Sequence, residues 1–156
     1  MAPHVHDKID FTVEVFLVYK DRVLLRKHDK YGFWLSVGGH IELSEDPIEA
    51  AIREVKEEVG LDVEIVGNEA PPIDAGDTYR ELMPPIYMNR HNIGKAGHEH
   101  VTLVYFGKVT TDALACESEK DECRWLSLEE VEKNDIGLKA DIQYYARAAL
   151  KRLGSS

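Results

Sequence analysis

Three glutamates in the first half of the chain have the type and spacing that most suggest chemistry. Glu54, Glu57 and Glu58 lie in residues 38–61, which have the sequence GGHIELSEDPIEAAIREVKEEVGL. Seven acidic side chains against two basic ones give this segment a charge of −5, half of the −10 of the whole chain. Carboxylate oxygens are hard ligands that suit Mg²⁺ or Mn²⁺, so a divalent-cation site is one interpretation. A solvated helix face is the other.

A helix over residues 47–59 is predicted to position these glutamates. Asp46 is a suitable N-cap, and Glu49 can complete a capping box with it. Pro47 suits the first turn, and Gly60 can end the helix in a left-handed conformation. Apolar residues recur at helical spacing and should face a core: Ile48, Ala51, Ile52, Val55 and Val59. At 100° per residue, the three glutamates share an arc of about 100° that points away from this stripe.

The same segment resembles the Nudix box, which is written G-x5-E-x7-R-E-(apolar)-x-E-E-x-G-(apolar). Its fixed positions are all filled at the required spacing, by Gly39, Glu45, Arg53, Glu54, Val55, Glu57, Glu58, Gly60 and Leu61. Nine constrained positions over 23 residues make an accidental match improbable. Two neighbouring positions depart from the common pattern, with Val37 in place of a proline and Ser44 in place of a glycine. Neither position carries chemistry in the family, so these departures concern loop geometry.

The resemblance implies a hydrolase that uses Mg²⁺, or Mn²⁺ as a substitute, to cleave the pyrophosphate of a nucleoside diphosphate linked to another group. In that reaction water attacks phosphorus while divalent ions neutralise the phosphoryl oxygens. By position, the implied metal ligands are Gly38 (through its carbonyl), Glu42, Glu54, Glu57 and Glu58. The last three are also the implied catalytic residues, together with Arg53 and Glu119. An ion pair between Arg53 and Glu45 is expected to hold the loop to the helix.

In the family that the chain resembles, a carboxylate from the loop before Trp125 often acts as a further metal ligand or base. Glu119 is one of several acidic residues in this loop that could take that role. Four residues qualify by type, and spacing does not choose among them: Glu117, Glu119, Asp121 and Glu122. Glu119 is the preferred candidate.

Two other functions remain open beside hydrolysis. A catalytically silent Nudix-like module for ligand sensing or partner binding usually lacks a box glutamate, and none is missing here. A diphosphate isomerase of similar fold needs a catalytic cysteine, but Cys116 and Cys123 have no recognisable supporting motif. Hydrolysis is therefore favoured.

Residues 67–100 are the least regular part of the chain and are predicted to contain a substrate loop, with a short strand around 86–89. Aromatic rings can stack on a base, and guanidinium groups can bind phosphate. The candidate substrate-binding residues of the chain are Arg26, Trp34, Tyr87 and Arg90. The His98-Glu99-His100 sequence has a metal-like spacing, but a polar triplet that alternates across a strand edge is the preferred interpretation.

The overall pattern predicts one domain over residues 1–156, an α/β/α sandwich with a mixed β-sheet between helices, which is also the Nudix fold. Strands are expected at 9–19, 22–27, 33–37, 61–66, 101–109 and 122–126, and further helices at 128–133 and 139–153. Residues 1–8, with His4 and His6, are expected to be a flexible tail.

Composition limits the partners and the compartment. A charge of −10 disfavours bulk nucleic acid, since such binding depends on cation–phosphate contacts. It does not disfavour a small phosphorylated substrate, because bound metal supplies the positive charge. No apolar run approaches the roughly 18 residues of a membrane helix, and no secretion signal is recognisable, so a cytoplasmic protein is expected. Cys116 and Cys123 could pair across a loop, but two buried or free thiols are favoured in that compartment. The resemblance also makes a homodimer possible.

Overall fold

The computed structural model describes residues 8–155 and places their strands in one mixed sheet of eight. The strands are β1 (Ile9–Tyr19), β2 (Arg22–Lys27), β3 (Trp34–Leu35), β4 (Val37–His40), β5 (Glu64–Val66), β6 (Tyr87–Asn92), β7 (Glu99–Lys108) and β8 (Glu122–Ser127). At the centre β1 and β7 run parallel. Each of these two strands also has two antiparallel neighbours: β4 and β2 pair with β1, and β6 and β5 pair with β7. Both β3 and β8 pair with β2.

Helices cover both faces of this sheet: α1 (Pro47–Val59) on one face, and α2 (Leu128–Lys133) and α3 (Ala140–Leu153) on the other. Successive side chains of a strand point to opposite faces, and β1 shows this alternation. Val13, Val15 and Leu17 are buried with α1, whereas Phe16 and Val18 are buried with α3. The predicted sandwich is confirmed.

Helix α1 begins and ends where its capping residues predict. The Asp46 carboxylate accepts hydrogen bonds of 2.9 Å from the backbone N–H groups of Ile48 and Glu49. The Glu49 carboxylate accepts one of 2.9 Å from the Asp46 N–H and completes the capping box. Gly60 closes the helix at φ 73°, in the left-handed region. A cap of this kind stabilises a helix by about 1 kcal/mol.

The buried stripe of α1 differs from the predicted one. Ile52 is 46% exposed, whereas Ala50 is fully buried beside the predicted Ala51, Val55 and Val59. Ala50, Glu54 and Glu58 follow one another at intervals of four and therefore lie on one line along the helix. The rotation that buries Ala50 turns the two glutamates toward the sheet, and this contact forms the site described below.

Several element boundaries also differ from those predicted. The strand expected over 61–66 is confined to β5, while β6 extends beyond 89 and ends at Asn92. Lys8 is joined to the sheet, because its carbonyl accepts a hydrogen bond of 2.8 Å from the N–H of Glu99. The rest of the predicted tail, with His4 and His6, lies outside the described residues. Within residues 8–155, no helix combines the length and apolarity needed to cross a membrane.

Candidate active site

Two glutamates of α1 pack directly against the backbone of β4. The Glu58 Oε2 atom accepts a hydrogen bond of 3.1 Å from the N–H of Gly38. The Glu54 carboxylate lies over Gly39, in the space that a Cβ atom would otherwise fill. Glu57 is one residue from Glu58 but is more open, with its side chain 56% exposed. The three carboxylates therefore span from the sheet surface to solvent.

Burial is the largest cause of a raised pKa in the two inner carboxylates, Glu54 and Glu58. It raises the pKa of Glu58 to about 7 and also raises the pKa of Glu54. Neighbouring negative charges raise both further: Glu57 acts on Glu54, and Glu54 acts on Glu58. Each carboxylate has one cationic partner, but these cations do not offset the desolvation of the charged forms. The negative charge of the three carboxylates therefore exceeds the positive charge of the two arginines beside them.

Arg53 holds the loop between β4 and α1 to helix α1. Its Nε and Nη2 atoms donate to the two carboxylate oxygens of Glu45 at 2.9 and 2.6 Å. Nη2 also donates to the carbonyl of His40 at 2.9 Å, at the end of β4. Nη1 donates to Glu54 Oε1 at 2.9 Å and to Glu57 Oε2 at 3.1 Å. The ion pair predicted between Arg53 and Glu45 is therefore present, and it also orients two box glutamates.

Arg26 supports the opposite side of the site from β2. Its Nη1 atom lies 2.5 Å from Glu58 Oε2, and its Nη2 atom lies 2.5 Å from Asp121 Oδ2. All three side chains are largely buried, with 9%, 18% and 6% exposure. Arg26, a candidate for substrate binding from the sequence, thus joins the loop before β8 to helix α1.

The loop before β8 is tied to the C-terminal end of α1. The N–H of Glu117 donates to the carbonyl of Glu58 at 2.9 Å, and the N–H of Ala115 donates to that of Val59 at 2.9 Å. The charge of Glu117 contributes to the raised pKa of Glu58. Glu119 is exposed. Among the four acids of this loop, Glu117 and Asp121 are thus the two that the structure brings to the box.

The donor atoms of this arrangement suit a divalent cation of the Mg²⁺ type. They are carboxylate oxygens held on a rigid helix, and the carbonyl of Gly38 lies on the adjoining strand. Glu42, the further predicted ligand, is exposed, and its N–H donates to Glu45 Oε1 at 2.9 Å. A cation here would offset the desolvation and the mutual repulsion that raise the pKa of Glu54 and Glu58. The residues fit the metal that the motif implies.

The other three predicted substrate-binding residues lie in different surroundings. Trp34 is 5% exposed in the core beside α3, with the Arg124 guanidinium 5.3 Å from its ring centre. Tyr87 stacks on Tyr145 at 5.4 Å and lines a groove of about 450 Å³ between β6 and α3. Arg90 forms a two-point ion pair with Glu99 on the exposed side of β6 and β7.

The two cysteines lie side by side as free thiols of intermediate exposure. The distance between Cys116 Sγ and Cys123 Sγ is 3.0 Å. Burial and the contact with Cys116 raise the pKa of Cys123 to about 12. A Cys123 thiolate is therefore scarce at neutral pH, which disfavours Cys123 as the catalytic cysteine of an isomerase.

Two buried acidic residues of β1, Glu14 and Asp10, were not predicted as functional residues from the sequence. Glu14 lies between Val13 and Val15, and the Ser36 hydroxyl donates to it at 2.7 Å. Burial raises the pKa of Glu14 to about 7. Asp10 is 1% exposed and lies against His98 and His40. The signal was available: an acidic residue at an inward position of an otherwise apolar strand breaks its alternation.

Comparisons with known proteins agree with these features. The NUDIX domain family model matches residues 10–148. A NUDIX-family hydrolase from Clostridium perfringens is 36% identical, covers 92% of this chain and 97% of its own, and superposes with a TM-score of 0.80. A search of curated proteins found no significant match.

More distant solved structures share the fold. A MutT NUDIX hydrolase from Burkholderia pseudomallei is 20% identical, covers 94% of this chain and 99% of its own, and has a TM-score of 0.61. The E. coli dihydroneopterin triphosphate pyrophosphohydrolase is 17% identical, covers 94% and 95%, and has a TM-score of 0.58.

Proposed function

The chain belongs to the NUDIX family, and as a hydrolase of pyrophosphate bonds it acts, we propose, on a nucleoside diphosphate linked to another group in a Mg²⁺-dependent reaction. The observation that carries the proposal is the convergence of Glu54, Glu57 and Glu58 at β4. The arginines beside Glu54 and Glu58 do not offset the desolvation that raises the pKa of these two carboxylates. A pyrophosphate would add further negative charge to this place. Substrate binding therefore requires a cation, and oxygen donors select a hard one.

The three box glutamates and the carbonyl of Gly38 bind the metal in this proposal, with Glu42 reaching a second ion through water. Bound Mg²⁺, or Mn²⁺ in its place, neutralises phosphoryl oxygens and lowers the pKa of water. Glu54 is held through Oε1 by Arg53, so Oε2 remains to orient the attacking water or accept its proton. Arg53 is thus a positioning residue that sets the direction of a catalytic carboxylate.

A carboxylate of the loop before β8 assists this site. Glu119 was the choice from the sequence, and it stays a prediction. The hydrogen bond between the backbone of Glu117 and the end of α1 supports Glu117 as a second candidate. Asp121 is a weaker one, because its carboxylate is already engaged by Arg26. The sheet and both helical layers support the further proposal that residues 1–156 act as one domain.

Hydrolysis of a panel of nucleoside diphosphate derivatives tests this function. With Mg²⁺ present, a monophosphate product is expected from at least one substrate, and EDTA should abolish its release. Glu57→Gln and Glu58→Gln should each lower kcat/KM by about 10²-fold or more, because each removes a charged ligand. Glu64→Gln, on the exposed side of β5, is the matched control and should retain activity.

The same measurements separate the alternatives. A silent binding module would show a saturable rise in melting temperature with a nucleotide but no turnover of any substrate. Turnover that persists in the Glu57→Gln/Glu58→Gln double variant would overturn the assignment of these residues.

A further inference from the structure

A second cluster of ligand-type side chains lies at the start of the central strands. Asp10, His98 and His100 each offer one ligand atom, and these three atoms lie within 4.8 Å of one another. Asp10 Oδ2 is 3.0 Å from His98 Nε2 and 3.3 Å from His40 Nε2. The rings of His40 and His100 are 5.0 Å apart between centres. The cluster thus contains three imidazoles around one carboxylate.

Strand register explains this convergence. Asp10 and His100 are paired residues of the parallel strands β1 and β7. Thr12, two residues beyond Asp10 and on the same face, pairs with His40 of β4. His98 immediately precedes β7, and its side chain lies on the same side as that of His100, while Glu99 turns away to Arg90. The side chains of residues 98–100 therefore alternate as predicted, but the two histidines belong to a cluster with Asp10 and not to an exposed strand edge.

We propose that Asp10, His98 and His100 bind one transition-metal dication of the Zn²⁺ class, with His40 as the fourth ligand. This site is separate from the carboxylate box and does not rest on the proposed hydrolysis. Imidazole nitrogen with one carboxylate oxygen suits Zn²⁺, Co²⁺ or Ni²⁺, whereas Mg²⁺ prefers oxygen alone.

The geometry requires little rearrangement. Four-coordinate Zn²⁺ binds nitrogen and oxygen at about 2.0–2.2 Å, which places neighbouring ligand atoms about 3.3–3.6 Å apart. The separations of 3.0 and 3.3 Å from Asp10 Oδ2 are already near this value. The three ligand atoms of Asp10, His98 and His100 lie within 4.8 Å of one another, so no separation among them needs to close by more than about 1.5 Å, which small rotations of the imidazole rings achieve.

The surroundings favour a metal over a hydrogen-bonded network alone. Asp10 and His98 are 1% and 3% exposed, so an ion here would be shielded from water. One histidine is enough to neutralise Asp10, yet three imidazoles gather around it.

The position of the cluster indicates a structural role for the metal. It would join β1, β4 and β7, and His40 follows directly after the Gly38-Gly39 pair of the active site. The carbonyl of His40 also accepts the hydrogen bond from Arg53. Metal at this cluster would therefore fix the strand against which Glu54 and Glu58 pack.

Cobalt spectroscopy tests the site in the full-length, untagged protein. After chelator treatment and dialysis, addition of Co²⁺ should give one equivalent of visible absorption typical of four-coordinate nitrogen and oxygen ligation, and Zn²⁺ should displace it. His98→Gln and His100→Gln should each weaken Co²⁺ binding by at least 10-fold. Box variant Glu57→Gln and His91→Ala, an exposed histidine beside His100, should leave the spectrum unchanged.

Two results would overturn the proposal. One is the absence of this absorption from the unmodified protein, which needs no variant to fold and would leave the cluster as a hydrogen-bond network. The other is loss of the absorption in Glu57→Gln, or in a His4→Ala/His6→Ala variant, with retention in both cluster variants. Mass-spectrometric metal counting and circular dichroism of every sample separate lost binding from lost folding.

Discussion

Gly39 and Glu54 are so close that a Cβ atom on Gly39 would lie 2.2 Å from Glu54 Oε1. This first glycine of the Nudix box is therefore required by a neighbouring side chain, whereas Gly60 is favoured by its own left-handed backbone conformation. Its neighbour differs, because a Cβ atom on Gly38 would lie 2.2 Å from the carbonyl oxygen of Val13, which belongs to the backbone of β1. A flexible carboxylate can move away from a new methyl group, whereas a paired strand cannot.

The Gly39→Ala and Gly38→Ala variants should therefore fail in different ways. Gly39→Ala should displace Glu54 and lower kcat/KM by about 10-fold or more, with a loss of unfolding free energy of about 1 kcal/mol or less. Gly38→Ala should disturb the pairing of β4 with β1 and cost about 1–3 kcal/mol. Urea unfolding and steady-state kinetics measure both quantities. Equal stability losses in the two variants would contradict this explanation.

Arg26 should contribute much more to stability than Arg22, which lies on the same strand. Arg26→Met leaves Glu58 and Asp121 buried without their cation, at an expected cost of about 3–5 kcal/mol at pH 8. Arg22 pairs with Asp112 in an exposed position, so Arg22→Met should cost about 1 kcal/mol or less.

The pH dependence of this cost provides a second check. Arg26 lowers the pKa of Glu58, so its removal raises that pKa further, and the carboxylate can then be neutralised by protonation. The cost of Arg26→Met in urea unfolding should therefore be smaller at pH 5.5 than at pH 8. A cost that does not change with pH would argue against an unpaired Glu58 as its cause.

Replacement of Arg53 by lysine should impair catalysis although it keeps the charge. The guanidinium contacts Glu45, Glu54 and the His40 carbonyl at once, which a single ammonium group cannot reproduce. Arg53→Lys should lower kcat/KM by about 10- to 100-fold, mainly through kcat, because Glu54 loses its fixed direction. Arg147→Lys is the control, because it alters a similar two-point ion pair with Glu132 on the surface, and it should leave kcat/KM unchanged. Identical kinetics of Arg53→Lys and the original protein would remove Arg53 as a positioning residue.

Glu14 should make the metal-free protein less stable as the pH rises. Burial raises the pKa of Glu14 from its ordinary value of 4.5 to about 7 in the folded state, so the folded state binds more protons between these two pH values. Stability is therefore full below about pH 4.5 and falls as the pH rises through about 7. Glu14→Gln keeps an acceptor for Ser36 and removes this loss, so it should be more stable than the original protein by about 1–3 kcal/mol at pH 8.

Urea unfolding at several pH values in EDTA measures this difference. Glu54 and Glu58 add a slope of the same sign, so only the difference between the two proteins reports on Glu14. Glu64→Gln is an exposed control that should leave the profile unchanged. A difference of the same size at pH 5 and pH 8 would exclude titration of Glu14 as the cause.

The sequence alone determined the reaction type and the local structure of the box. Helix α1 was predictable to the residue because its signals are local: Asp46, Glu49 and Gly60 satisfy the backbone groups at its own ends. The partnership of Arg53 with Glu45 was predictable from the family that the motif identifies. The three-layered α/β/α fold followed from the periodicities of strands and helices, which reflect how each segment buries its apolar side chains.

Only the tertiary structure decided which side chains meet across distant segments. The rotation of α1 that buries Ala50 and brings Glu54 to Gly39 depends on packing against β4, and a helical pattern fixes such a rotation only to within about one position.

The contacts of Arg26 with Glu58 and Asp121 join three parts of the chain, and residue type alone did not distinguish this ion-pair role from substrate binding. The meeting of Asp10 with His98 and His100 depends on the register of a parallel strand pair whose members are 90 residues apart. Register is set by the whole sheet, so no local pattern contains it.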